Sequence, residues 1–183
     1  MNETTLQISI RPAREEDIPA LVALDHGYST DYAWQMDVEG AHPASGVRFR
    51  ETRLPRPMSV KYPRPQEALG SQWQQRSALL VAEEGGQLCG YAALSTGLAP
   101  GAVWLTDLVV APQLRRKGIG ARLVLAAQQW ARQQDCNRLV LEMQSKNHPA
   151  ISLAHKLAFS FSGYSDGYYD NQDIALFFAK RLT

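Results

Sequence analysis

Leu6, Ile8 and Ile10 alternate with polar residues near the start of the chain, the two-residue period of a half-buried strand, and Pro12 closes it. Arg14-Glu15-Glu16-Asp17 then crowds carboxylates where a helix would begin and where its dipole favours them. Ile18, Leu21 and Val22 share one face of that predicted helix. From Gly27 to Asp37 the pattern dissolves into an aromatic and acidic stretch with no clean period. Val47 to Leu54 alternates again, with Arg48 and Arg50 opposite, and predicts an exposed strand. Four prolines between Pro55 and Pro65 exclude a helix interior or central strand there and leave a loop or an interrupted edge.

The second half is more regular. Ala78 to Ala82 is a short apolar strand, Gly85-Gly86 is a two-residue hairpin signal, and Leu88 to Ser95 is the partner strand. Val103 to Val110 is apolar on both faces except at Thr106 and Asp107, which predicts a central strand. Ile119, Leu123, Ala127 and Trp130 form a helical stripe that ends near Asp135. Leu139 to Met143 is a further strand, Pro149 to Leu157 a short helix and Ile174 to Phe178 a last strand. Hairpins first and β-α-β later predict a mixed α/β sheet. At 183 residues, residues 1–183 form one domain in this reading.

A net charge of +1 gives no general attraction to nucleic acid or an anionic membrane, so any basic site must be local. The N-terminal stretch lacks the basic and apolar regions of a signal peptide, and no apolar run reaches membrane-spanning length. Cys89 and Cys136 are lone residues expected to be packed thiols. No histidine pair has metal-ligand spacing, and His148 and His155 are expected at the surface. A cytoplasmic protein with no metal, no nucleic-acid partner and no membrane partner is expected.

The chemistry gathers at one strand-to-helix junction. After Val110, Ala111-Pro112 leads through Arg115, Arg116 and Lys117 into Gly118-Ile119-Gly120 and then a helix. Glycines let backbone approach a ligand, and free N–H groups at a helix start favour an anion. Three cations before a helix are poorly placed unless an anion offsets them. A Walker loop is absent. A dinucleotide fingerprint is a rival, because Glu142 stands at roughly the expected distance. Leu123, however, occupies the third glycine position, and seven residues part the strand from the first glycine.

Arg115-x-x-Gly118-x-Gly120, followed by Glu142, Asn147-x-x-Ala150-Ile151 and Phe159, resembles the GNAT N-acetyltransferase superfamily, and IRPAREEDIPALVAL resembles its first strand and helix. Within it the chain looks most similar to streptothricin acetyltransferases and ribosomal-protein N-terminal acetyltransferases. The resemblance implies an α/β fold, with a mixed, mostly antiparallel central sheet flanked by helices and a splayed strand pair at the cofactor site. It implies an acetyl-CoA-dependent N-acetyltransferase acting on a primary amine of a small molecule or peptide. Leu108, Val109 and Val110 would lie along the pantetheine arm, with the backbone of Leu108 and Val110 pairing to it. Arg115, Arg116, Lys117, Gly118, Ile119 and Gly120 would hold the pyrophosphate, and Asn147 the other side. A catalytically silent CoA-binding module and a dinucleotide-dependent oxidoreductase stand as alternatives, and a homodimer is compatible with the chain.

A carboxylate inside a central strand is costly unless paired or wet. Glu142 is therefore either a structural ion-pair member or, as the resemblance implies, the base that deprotonates the amine. The tyrosine expected twelve residues later is Ala154, and the glycine expected before Phe159 is Ala158. Tyr164, or its neighbours Tyr168 and Tyr169, would then supply the missing hydroxyl. Asp25, Tyr28, Asp31, Tyr32, Trp34 and Asp37 combine carboxylates with aromatic faces, a chemistry suited to a cationic acceptor. Asp107 either supports the proton relay, contacts the acceptor or is structural.

Overall fold

A computed structural model describes residues 7–40 and 46–183; Leu6 of the opening alternation lies outside the described residues. In chain order the strands and α-helices are β1 (Ile8–Pro12), α1 (Ile18–Val22), β2 (Tyr28–Glu39), β3 (Gly46–Val60), α2 (Gln66–Gln72), β4 (Ala78–Glu84), β5 (Gln87–Ser95), β6 (Ala102–Val110), α3 (Ile119–Gln133), β7 (Arg138–Gln144), α4 (His148–Lys156), β8 (Ser160–Ser165) and β9 (Ala175–Arg181). The main sheet runs β1-β4-β5-β6-β7-β9-β8. Its neighbours are antiparallel except β6 and β7, which are parallel and joined through α3. A parallel pair needs such a crossover, because a tight turn can only reverse the chain.

One face of the sheet buries Leu94, Val103, Leu105, Leu139, Leu141 and Phe178 under Leu123, Val124 and Ala127 of α3 and Ile151 of α4. The other face buries Val81, Tyr91 and Val109 under Ile18 and Leu21 of α1, with Leu69 of α2 packed against the same cluster. Asp17, almost fully buried before α1, is held by Arg11 of β1 at 2.6 Å and by the Arg14 N–H at 2.7 Å. The arginine keeps its carboxyl below the usual range. No helix among the described residues is long and apolar enough to cross a membrane.

Two stretches differ from the sequence reading. Gly27 to Asp37 is not irregular: Tyr28 to Glu39 forms β2, paired with β3 in a separate two-stranded ribbon. The ribbon packs against α4, and the Trp34 backbone N–H donates to the Ser145 carbonyl at 2.9 Å. It bears aromatic anchors and surface charges on both strands, so the hydrophobic pattern carries no single period. Pro55 and Pro57 lie within β3, where pairing jumps from Tyr32↔Arg53 to Thr30↔Met58. Leu54 to Pro57 thus face Asp31 alone, in a bulge that asks for no proline N–H. The sequence reading also lacked α2 and β8, the latter a Ser- and Gly-rich edge strand with no apolar run.

Backbone strain separates two small residues. Ala158 has φ +60° after α4, with its own N–H bonded to His155 and the Phe159 N–H bonded to Ala154 at 2.9 Å. This is a Schellman ending, whose left-handed position favours glycine. Gly90 of β5 is opposed to Val110, and a Cβ there would overlap the Val109 carbonyl oxygen. Urea unfolding should therefore show opposite signs: Ala158→Gly gains about 1 kcal/mol, and Gly90→Ala loses about 3 kcal/mol by overpacking a central strand pair.

Candidate active site

β6 and β7 pair from Ala102↔Arg138 to Leu105↔Leu141 and then part. At the same point β6 shifts register against β5, because Ala93 faces Asp107 while Leu94 faces Leu105, leaving Thr106 as an extra residue. A bulge bends the strand that contains it. Beyond it β6 follows β5, whereas β7 stays with β9 through Gln144. The sheet is opened in its middle, as the resemblance implied. A slot of about 30 Å³ occupies the opening, with Leu108, Asn147, Leu153, Glu142, Arg64 and Tyr169 among its walls.

The phosphate-type loop lies on one side. Gly118 has φ +85° before α3, a conformation that L side chains avoid, and Arg116 also has positive φ, +64°. The N–H groups of Ile119 to Ala121 open a fifteen-residue helix and have no carbonyl one turn earlier within it. Arg116 and Lys117 are exposed. Arg115 is turned away from that use: Nε donates to the Val110 carbonyl at 2.8 Å and Nη2 to the Asp25 carbonyl at 3.0 Å. Burial lowers its pKa. A Cβ at Gly120 would touch only Leu153 at 3.4 Å, with Leu108 and Val110 at 3.9 Å.

Strand alternation settles which backbone groups of β6 face the slot. The Val109 carbonyl points at Gly90, and the Ala111 N–H donates to Cys89 at 2.8 Å, both towards β5. The groups of Leu108 and Val110 therefore turn towards the opening. Val109 is committed elsewhere, with its backbone in the β5 ladder and its side chain buried under α1. Asn147 caps α4, its Oδ1 accepting the Ala150 N–H at 3.1 Å, while lining the slot.

Two buried carboxylates stand on the other side, Asp107 of β6 and Glu142 of β7. Arg64 bridges them. Its Nη1 donates to the Thr106 carbonyl at 2.8 Å and to Asp107 Oδ1 at 3.3 Å, and its Nη2 to Glu142 Oε1. Tyr62 donates to Asp107 at 2.9 Å, Thr106 Oγ1 to Asp107 at 3.0 Å, and Arg76 lies 3.5 Å from Asp107. The Tyr168 hydroxyl donates to Glu142 Oε2 at 3.1 Å, and Arg64 lies over the Tyr169 ring at 5.4 Å. Burial alone would lower the pKa of Arg64, but Asp107 and Glu142 hold it above the usual guanidinium value. Burial and then Glu142 raise the phenols of Tyr168 and Tyr169, and burial and then Asp107 raise Tyr62. All three phenols stay protonated at neutral pH, as donors.

A chamber of about 310 Å³ adjoins Asp107 beneath α2, with His26, Gln66, Gln72, Arg76 and Asp170 also on its walls. Of the expected acceptor residues, only Asp107 lies here. Tyr28 reaches Gln144 at 2.8 Å. Tyr32 sits against His148, and Trp34 packs among His155, Phe161 and Phe178. Asp31 is exposed in the ribbon bulge, Asp37 pairs with Arg50 at 2.8 Å, and the Asp25 carboxylate accepts the Gly27 N–H at 2.9 Å. Tyr164 is not beside Glu142: it lies on edge strand β8 with its ring on Phe49. The phenol at Glu142 is Tyr168. Ala154 is buried in the core of α4. Arg64, Tyr62 and His26 were missed, although Arg64 between Pro63 and Pro65 is a cation on a stiffened segment, a legible signal.

Comparison with known proteins bears on the family and the fold. Residues 48–159 match the model of the acetyltransferase (GNAT) family. The chain is 30% identical over 165 residues to streptothricin acetyltransferase of Streptomyces lavendulae, covering 87% of this chain and 85% of that protein. It is similar to the crystal structure of nourseothricin acetyltransferase, with TM-score 0.82, 25% identity, and coverage of 96% of this chain and 99% of the other. A Bacillus anthracis structure described as a streptothricin acetyltransferase in complex with acetyl coenzyme A shares the fold at TM-score 0.76 and 17% identity, over 96% and 99% of the two chains.

His26 gives this side of the sheet a pH dependence. It is buried against Tyr62 and Tyr91, and burial lowers its pKa from the ordinary 6.5. Nε2 faces the Leu21 carbonyl at 3.2 Å, which can only accept, so Nε2 carries the proton of the neutral ring. The unfolded chain binds a proton near 6.5 while the folded chain does not. Stability should thus fall as pH drops below 6.5 towards the lower folded value and be unaffected by this group above 6.5. Melting curves of His26→Gln should lack that component between about pH 7.5 and 5.

Proposed function

The chain belongs to the acetyltransferase (GNAT) family and is an N-acetyltransferase, and from that premise we propose that it transfers the acetyl group of acetyl-CoA to a primary amine of streptothricin by direct attack assisted by Glu142. The observation that carries this reading is the slot through the sheet. Two of its wall residues, Leu108 and Leu153, lie against Gly120 of the glycine loop, and Glu142 and Arg64 line it as well. The streptothricin acetyltransferase likeness supports the acceptor. The predominantly antiparallel sheet does not suit a dinucleotide site, which a doubly wound parallel sheet would supply.

The residues fit the cosubstrate by their donors. The N–H groups at the start of α3 would receive the pyrophosphate, with Arg116 and Lys117 adding charge. The backbone groups of Leu108 and the Val110 N–H would pair with the pantetheine arm as an absent strand would, the Val110 carbonyl being held by Arg115. Bound acetyl-CoA supplies the acetyl group as a thioester. Glu142 takes the proton of the incoming ammonium, so an N–H bond breaks and the freed lone pair becomes the nucleophile. Tyr168 keeps the Glu142 carboxylate oriented and is the hydroxyl available to the departing sulfur. Residues 1–183 act as one catalytic unit in this reading.

Thiol release with streptothricin and a panel of simple amines tests the acceptor; turnover is expected with streptothricin. Gly120→Asp should abolish acetyl-CoA binding in calorimetry while leaving the melting curve nearly unchanged, because its Cβ meets only the tip of Leu153. Glu142→Gln should lower kcat by about 10²–10⁴-fold, and Tyr168→Phe by less. Equal kcat in Glu142→Gln and wild type at every pH would remove Glu142 from the chemistry.

A further inference from the structure

The slot and the chamber share two wall residues, Tyr62 and Arg64. The acetyl group is reached through the slot, and the chamber is the larger space beside Asp107. Of these two side chains, Arg64 is the one that carries a charge. Arg64 spans from the Thr106 carbonyl and Asp107 on β6 to Glu142 on β7, at the first position where the strands no longer bond each other. Both oxygens of Glu142 are engaged, by Arg64 and by Tyr168.

We infer that Arg64 holds the position of the acceptor's cation, and that Lys61–Pro65 is a gate which a cationic acceptor opens by replacing it. The inference rests on the reading of Glu142 as the base. If Arg64 left, Asp107 would keep Arg76 at 3.5 Å, but the buried Glu142 would lose its cation, which is strongly unfavourable. Arg64 can therefore leave only when another positive group arrives, and a neutral ligand cannot compensate the loss. The arriving ammonium takes the Glu142 contact that the guanidinium gives up, placing the proton to be removed on the oxygen that removes it. The segment is anchored on either side of Arg64. Val60 pairs with Tyr28, and Gln66 donates to the carbonyls of Val22 and Leu24. Movement is thereby confined to the few residues that carry Tyr62 and Arg64. The gate selects for charge and leaves the glycine loop untouched.

The test is Arg64→Ala, with Arg64→Gln as a second variant that keeps a donor without the charge. If Arg64 competes with the acceptor, its removal lowers KM for streptothricin by about tenfold and leaves KM for acetyl-CoA unchanged. Low-millimolar guanidinium chloride should then inhibit the variant competitively against streptothricin, but not the wild type, relative to matched sodium chloride. It should also raise the melting temperature of the variant alone. An unchanged or raised KM for streptothricin would make Arg64 a fixed strut and overturn the gate. If wild type does not turn over streptothricin, the acceptor assignment fails by itself, and KM of Arg64→Ala against wild type for the best simple amine of the panel still decides the gate.

Discussion

A sheet normally holds its strands by an unbroken ladder, and here the ladder is interrupted in the middle. After Leu105↔Leu141 the main-chain groups of β6 that point towards β7 have no strand to meet. Buried backbone groups left unpaired are costly, so the opening must be filled by something else. On the glycine-loop side, the Val110 carbonyl is taken by Arg115. On the carboxylate side, the Thr106 carbonyl is taken by Arg64. Two arginines thus stand in for missing strand partners at the two ends of one gap. The bulge at Thr106 is the local cause.

The carboxylate side also shows how acids can be kept deep in a sheet. Asp107 and Glu142 carry two negative charges, and Arg64 and Arg76 supply two positive ones nearby. Tyr62, Thr106 and Tyr168 fill remaining acceptor positions with neutral donors. Such clusters tolerate exchange of one cation for another far better than loss of a cation. A surface of this kind discriminates by charge before it discriminates by shape.

Much of the fold was legible because its strands are long apolar runs separated by strong breakers. Gly85-Gly86 marks the β4–β5 hairpin, and Gly118 with Gly120 marks the start of α3. The glycine loop was readable for the same reason, since its residues are contiguous. The carboxylate site was only half readable. Glu142 and Asp107 betray themselves as acids in apolar strands, but their partner Arg64 lies 78 residues before Glu142 in the chain, and no local period connects the two. The ribbon misled in the opposite direction: Tyr32 and Trp34 look like a ligand surface in sequence, yet they are spent on packing against α4 and β9. Tyr164 and Tyr168 could be told apart only once β8 was known to turn its residues away from Glu142.

Arg115 joins regions that the sheet otherwise keeps apart. One guanidinium grips the end of β6 beside the glycine loop and the Asp25 carbonyl, and the next residue, His26, lines the chamber. A shift of the α1–β2 connection on filling the chamber would therefore pull on the strand end that borders the loop. Coupling of that kind obeys thermodynamic reciprocity: whatever factor one ligand imposes on the affinity of the second, the second imposes on the first. The order in which the two ligands bind would then alter the path through the cycle without altering the energy of the ternary complex.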